Sequence, residues 1–221
     1  MPRGGGQRRS RGRPRLACAD EQLERALAGS GSLDAGAVRR LRLWSEELER
    51  WSKTQRLVGW SSVDGLLHEG VADAWAMAPL LSAQEGRPLV DLGSGAGLPG
   101  LILAAAYPAL PIHLIESRRK RASFLRQAAR VMELERVHVH HGRSEQFCKT
   151  LCQGESPTVT ARAFAAPSQV IASAEAWGAG ACILSIVGDA LPQPLPEGWV
   201  RSQTVPGLPG PTRTHVLLTR A

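Results

Sequence analysis

The chain has no apolar run near the ~18 residues that a membrane-spanning helix needs, so no span is expected in its 221 residues. Its N-terminal arginines are not followed by an apolar segment, which removes the pattern of a secretory signal. Cysteine is scarce: Cys18, Cys148, Cys152 and Cys182 lack the paired spacing of a disulfide framework or a zinc ribbon, and a reducing cytoplasm is the expected setting. Acid is missing from residues 1–15, "MPRGGGQRRSRGRPR", which hold six arginines and leave only about +1 of the +7 net charge to the remainder. A glycine-rich basic segment buries nothing. Residues 1–17 are therefore expected to be a disordered tail, serving as a phosphate-binding arm or only as a solubilising start.

The rest alternates in texture. In segment 33–57, Leu41, Trp44, Leu48 and Trp51 recur at spacings of three and four between charges, which predicts an amphipathic helix with both tryptophans on its buried stripe. A second helix is predicted over 62–82 with Val71, Trp75, Ala78 and Leu81 inward, making 18–84 a helical cap. From 85 to 221, apolar strand-like runs alternate with helices ("PLVDL", "LPGLILAAAY", "IHLIE", "SRRKRASFLRQAARVMEL", "VHVHH", "TVTARAF", 167–177, "ACILSIV"), with Ser117 expected to cap the second of those helices. Two final strands at about 199–205 and 214–220 suit an antiparallel edge hairpin. This order implies an α/β fold with a mostly parallel seven-stranded sheet, helices on both faces, and ligands at the carboxyl ends of the strands, where Gly93, Glu116, Gly142 and Arg162 fall.

"LVDLGSGAGLPG", residues 89–100, places four glycines behind a short apolar run. "GAGLPG" matches the dinucleotide fingerprint, with Glu116 nineteen residues after Gly97; "DLGSGAG" matches an adenosylmethionine loop. Asp91 separates the two, because a carboxylate here repels a pyrophosphate but favours a ligand bearing an ammonium and a sulfonium. S-adenosylmethionine is thus the expected cofactor, in a Rossmann-like class I methyltransferase fold, with Glu116 accepting the ribose hydroxyls and Gly142, Arg143 and Ser144 near the adenine. His138 and His140 share one strand face and His141 takes the other, with no further ligand at a helpful spacing, so no metal is expected.

Arg118, Arg119, Lys120, Arg121, Arg126 and Arg130 crowd one helix, which suggests an RNA phosphate track. Arg162 ends the fourth strand, where a nucleobase would meet the methyl group, and Phe164 could stack on a base. With "LVDLGSGAGLPGLILA", "IESRRKRASFLRQ", "GRSEQF" and "ARAFA" in place, the chain resembles, over about 38–220, the bacterial small-subunit (16S) rRNA guanine-7-N-methyltransferases, the glucose-inhibited division protein B family. The resemblance implies methyl transfer to ring nitrogen seven of a guanosine in small-subunit rRNA, either naked or in the 30S subunit. With it, the residues expected around the cofactor are Asp91, Gly93, Ser94, Gly95, Gly97, Leu98, Glu116, Ser117, Arg143, Ser144, Glu145 and Arg162, with Arg162 also the catalytic candidate. RNA contacts are expected from Arg118, Arg119, Lys120, Arg121, Arg126 and Phe164, and a monomer is expected.

Three stretches depart from the family pattern, all on the acceptor side. "WSKTQRLV" carries Ser52, Arg56 and Val58 in place of two asparagines and a threonine; "GVADA" keeps Asp73 but has Gly70 in place of a histidine, with His68 two positions earlier; "IVG" has Val187 in place of a lysine. They leave open a methyltransferase of another RNA, a protein or a small molecule, and a non-catalytic RNA-binding module that keeps the cofactor site. A nicotinamide oxidoreductase is the remaining alternative.

Overall fold

In the computed structural model the described residues are 15–28, 33–84, 86–152, 154–162, 164–188, 190–207 and 213–221. The arginine tail up to residue 14 lies outside them. Asp34 opens the long N-terminal helix by accepting the Ala37 amide at 2.6 Å, and α2 then runs over Ala35–Ser52 behind a short α1 over Asp20–Leu27. Leu41, Trp44 and Leu48 lie on one stripe and are fully buried; Trp51 sits at its end, with its ring edge-on to Phe124 at 5.9 Å. Leu16, assigned from sequence to the tail, is fully buried and its amide donates to Glu49 at 2.7 Å, so the packed body already includes it.

The helix expected over 62–82 is broken. It becomes α3 (Val63–Leu66), a wide π-helical turn (Leu67–Ala72), α4 (Asp73–Trp75) and α5 (Ala78–Ser82). The physical reason is in its residues: Gly70 loosens the backbone and Pro79 supplies no amide to continue the ladder. Val71, Trp75, Ala78 and Leu81 are nevertheless buried, as their spacing predicted. The break matters because it buries Asp73 beside them.

The strands are β1 (Leu89–Leu92), β2 (Ile112–Glu116), β3 (Val137–His141), β4 (Thr158–Ala161), β5 (Ala181–Val187), β6 (Trp199–Pro206) and β7 (Arg213–Arg220), in the order β3-β2-β1-β4-β5-β7-β6. β1 to β5 pair in parallel, and the β6–β7 hairpin joins β5 antiparallel, as expected from sequence. The helices α6 (Gly100–Ala106), α7 (Arg119–Val131) and α8 (Pro167–Ala176) supply the crossovers. Strand alternation divides the core into two layers. Leu89, Ile112, Leu114, Ile183 and Leu217 pack with α2, α6, α7 and the N-terminal helices, while Val90, Leu92, Ile115, Val159 and Leu184 pack with α8. The cap and the sheet thus share one continuous apolar layer.

A polar link crosses that layer. The fully buried Trp44 donates its indole N–H to the carbonyl of Ala96, in the glycine loop, at 2.9 Å. Trp44→Phe keeps most of the apolar volume but strands that carbonyl, and should cost about 1–3 kcal/mol in a urea unfolding titration.

Candidate active site

The glycine loop follows β1 directly. Gly93, Gly95 and Gly97 have φ of 68°, 58° and 86°, a region that side chains rarely enter. Gly100 is required for a different reason: a Cβ there would lie 2.4 Å from Leu114 and 2.6 Å from the Asp91 carboxylate. The loop therefore wraps tightly over Asp91.

Asp91 has no exposed surface, and its Oδ2 accepts the Gly100 amide at 3.1 Å, at the start of α6. Its Oδ1 is buried and has no hydrogen-bond partner among the described residues. The carboxylate thus points into the loop and lies buried beneath it. Burial pushes its pKa up to about 7, opposed by the nearby Ser94 hydroxyl and by the Gly100 amide. Ser94 is itself buried, donating to the Asp91 carbonyl at 2.9 Å. Glu116, 4% exposed at the end of β2, accepts the Gly95 amide at 3.0 Å on Oε2 and the Arg118 amide at 2.8 Å on Oε1. Each oxygen keeps a lone pair for a ribose hydroxyl.

Ser117 is exposed and does not cap α7: Arg118 is the N-cap residue, and the Glu116 carboxylate takes the capping role from outside the helix. Gly93, Ile115, Ser117, Gly142, Arg143, Ser144, Glu145 and Phe164 line a cleft of about 290 Å³. Arg143 and Glu145 are exposed on its rim, while Ser144 is nearly buried and accepts the Trp177 indole N–H at 2.8 Å. Phe164 is 43% exposed, and a Cβ on Gly93 would strike its ring at 2.5 Å. Leu98, at the far end of the loop, is 9% exposed.

On α7, Arg118, Arg119, Lys120, Arg126 and Arg130 are exposed. Arg121 is not part of that outer strip. It lies about 200° around the helix from Arg119, half-buried, with Nη1 3.9 Å from where a Cβ on Gly95 would be. His138 and His140 do share a face, but His113 of β2 joins them, with rings at 5.3 and 5.2 Å and its Nδ1 3.0 Å from His140 Nε2. Sequence spacing could not reveal His113, because only strand pairing brings it there. Burial and the two neighbouring imidazoles hold its pKa down to about 4.

A second polar cluster, at the end of β4, is built around Asp73. Arg162 Nε and Arg213 Nη1 each lie 2.9 Å from Asp73 Oδ2, and His215 Nε2 lies 3.1 Å from Oδ1. Arg162 also donates to the Glu69 carbonyl and stacks on Trp60 at 5.8 Å. Burial would raise the Asp73 pKa, but the His215 hydrogen bond and the two guanidiniums outweigh it and hold the value at about 2.

A family model described as rRNA small subunit methyltransferase G (GidB) matches residues 37–190. The chain belongs to this family. Relatives named ribosomal RNA small subunit methyltransferase G include those of Xanthomonas oryzae pv. oryzae, 33% identical over 90% of this chain and 93% of the relative, and Desulfotalea psychrophila, 35% identical over 71% and 72%. The Granulibacter bethesdensis relative is 42% identical over 62% of this chain and 61% of its own length. Among solved structures, magnesium protoporphyrin IX methyltransferase from Synechocystis with bound SAM superposes with a TM-score of 0.55 at 16% identity, covering 86% of this chain and 99% of that one. It establishes the fold: a Rossmann-like methyltransferase architecture.

Two of the departures from the family pattern acquire a structural context. A Cβ on Gly70 would come within 3.2 Å of the Trp60 ring, so that ring occupies the space a side chain at 70 would need. Val187, 59% exposed, is the direct cross-strand partner of Arg213. Trp60, Glu69, Arg213 and His215 were not legible as site residues, because none lies in a recognisable motif. No helix among the described residues is long and apolar enough to cross a membrane.

The raised Asp91 pKa has a definite sign. The folded state holds a proton that the unfolded chain releases near pH 3.8, so stability falls as pH rises from about 4 to about 7. Asp91→Asn keeps an acceptor for Gly100 and removes the buried charge. Thermal unfolding should show it more stable than wild type at pH 8, with the advantage gone by pH 4.

Proposed function

We propose that this protein transfers a methyl group from S-adenosylmethionine to ring nitrogen seven of a guanosine in small-subunit rRNA. The observation that carries this reading is the left-handed glycine cradle closed over the orphaned Asp91 oxygen, in a chain of the rRNA small subunit methyltransferase G family. A pyrophosphate fits poorly above a buried carboxylate, whereas a cationic ligand lowers the cost of its charge. S-adenosylmethionine, when bound, supplies an electrophilic methyl on a sulfonium. Glu116 would hold the ribose, and Gly142 to Glu145 would enclose the adenine end of the cleft.

The acceptor chemistry needs no general base. The guanine nitrogen has an in-plane lone pair; the new C–N bond forms as the C–S bond breaks, and no proton leaves. Arg162, Trp60 and Phe164 would orient and stack the base, and the reaction asks none of them to take a proton. The protein's contribution is then proximity and orientation. Arg162 has Nε on Asp73 and one terminal nitrogen on the Glu69 carbonyl. That leaves three of its five N–H donors for the guanine oxygen or a neighbouring phosphate, and Arg162 would take the oxygen without the ring nitrogen, because pairing with both would cover the reacting atom. The exposed stripe of Arg119, Arg126 and Arg130, with Arg118 and Lys120 beside it, is the proposed phosphate track.

Unmethylated small subunits incubated with labelled S-adenosylmethionine should incorporate label into rRNA, and reduction with aniline cleavage should place it at a 7-methylguanosine. Label in another molecule, or none, would overturn the reading. Glu116→Ala should weaken S-adenosylmethionine binding at least about tenfold in calorimetry, the value of a hydrogen bond to a charged acceptor. Arg162→Ala should slow transfer about 100-fold or more while cofactor affinity stays near wild type; equal loss of both would remove its acceptor role.

A further inference from the structure

Among the described residues the charges around Asp73 do not balance. One carboxylate receives two guanidiniums, so a positive charge is left over even with His215 neutral. Glu69, the other acid acting on Arg162, is exposed and hydrogen-bonded to the Trp60 indole at 2.9 Å, where water screens its field. The surplus sits on Arg213. Its side chain is 32% exposed against 11% for Arg162, and among the described residues its one hydrogen bond is to Asp73, which leaves its other N–H donors for a ligand.

The sheet register shows where those donors face. Arg213 opens β7 directly opposite Val187, the last residue of β5, and β5 lies beside β4, whose end carries Arg162. Opposed residues on antiparallel strands present their side chains to the same face. Arg213 therefore stands at the carboxyl edge of the parallel strands, beside Arg162 and one shared carboxylate away from it. Its position is fixed from behind, as a residue that grips a ligand requires.

We infer that Arg213 is a phosphate-binding residue of the acceptor site, holding the RNA backbone next to the target nucleotide while Asp73 fixes its reach. A guanidinium fits phosphate oxygens with two parallel N–H donors. Backbone contacts of this kind set the register of the nucleic acid and leave the base to its neighbours, here Arg162 and the rings of Trp60 and Phe164. The inference rests on the rRNA reading given above.

Steady-state transfer into small subunits and RNA binding across a salt series test it. Arg213→Ala should raise the KM for the RNA substrate about tenfold, leave kcat and S-adenosylmethionine affinity within about twofold, and flatten the slope of log K against log salt by about 0.7–0.9, the value of one phosphate contact. Arg213→Lys should recover most of the KM. Val187→Lys, at an exposed position that carries no folding risk, should steepen the slope by a similar amount. An Arg213→Ala variant with a lower unfolding temperature but unchanged KM and slope would show a mere counter-charge for Asp73 and overturn the inference, as would a Val187→Lys variant with an unchanged slope. Failure of the rRNA reading looks different: wild-type protein would transfer no label to small subunits.

Discussion

The acceptor side depends on one buried carboxylate. Asp73 comes from the N-terminal cap, Arg162 from the end of β4, and Arg213 and His215 from β7, and all meet within 3.1 Å. A buried ion pair adds little net stability, because desolvation offsets most of its attraction, whereas removing one partner leaves a charge that costs several kcal/mol. The network therefore works as a joint more than as an adhesive. It makes the approach of the cap to the sheet edge, the direction of Arg162 and the position of Arg213 a single geometric condition. The wide helical turn before Asp73 is part of the same joint, since it buries Asp73 and lays Gly70 against Trp60, on whose ring Arg162 stacks.

The cofactor side follows the same logic with different forces. Three glycines in left-handed conformation turn the loop, and Gly100 lets α6 settle on Asp91 and Leu114. The carboxylate below and the Trp44 indole beside it then fix the loop through its amides and its Ala96 carbonyl. Glu116 adds a third tie at Gly95. The loop is thus rigid before any ligand arrives, and a pre-organised site loses less entropy on binding. The cap is more than a cover, because the same helix that closes the first core layer holds the loop.

Much of this was readable from the chain. Alternating apolar runs gave the strands and their order of crossovers, and the Gly/Pro segment before the last strand marked the antiparallel edge. The glycine string with Asp91 and Glu116 marked the cofactor side, since its chemistry is written in consecutive backbone positions. The boundaries were less legible. Leu16 looked like tail because Glu49, the α2 residue that accepts its amide, lies 33 residues away in the chain. The region 62–82 looked like one helix because apolar spacing survives a wide turn that inserts a residue into the ladder. Ser117 looked like a cap because the residue that caps α7 lies one place earlier and uses its carboxylate from outside the helix.

The sequence by itself determined what is local: the periodicities that build a parallel sheet between helices, and a glycine loop that follows an acidic residue at the end of the first strand. Tertiary structure decided what is shared between distant segments. It set Asp91 beneath the loop, turned Arg121 toward Gly95, brought His113 to His140, and placed Arg213 across from Val187 and against Asp73. The physical reason is range. Backbone conformation and burial pattern are fixed by neighbours in the chain, but a buried charge is balanced only by whatever the folded sheet brings within hydrogen-bond distance, and no spacing in the sequence records that.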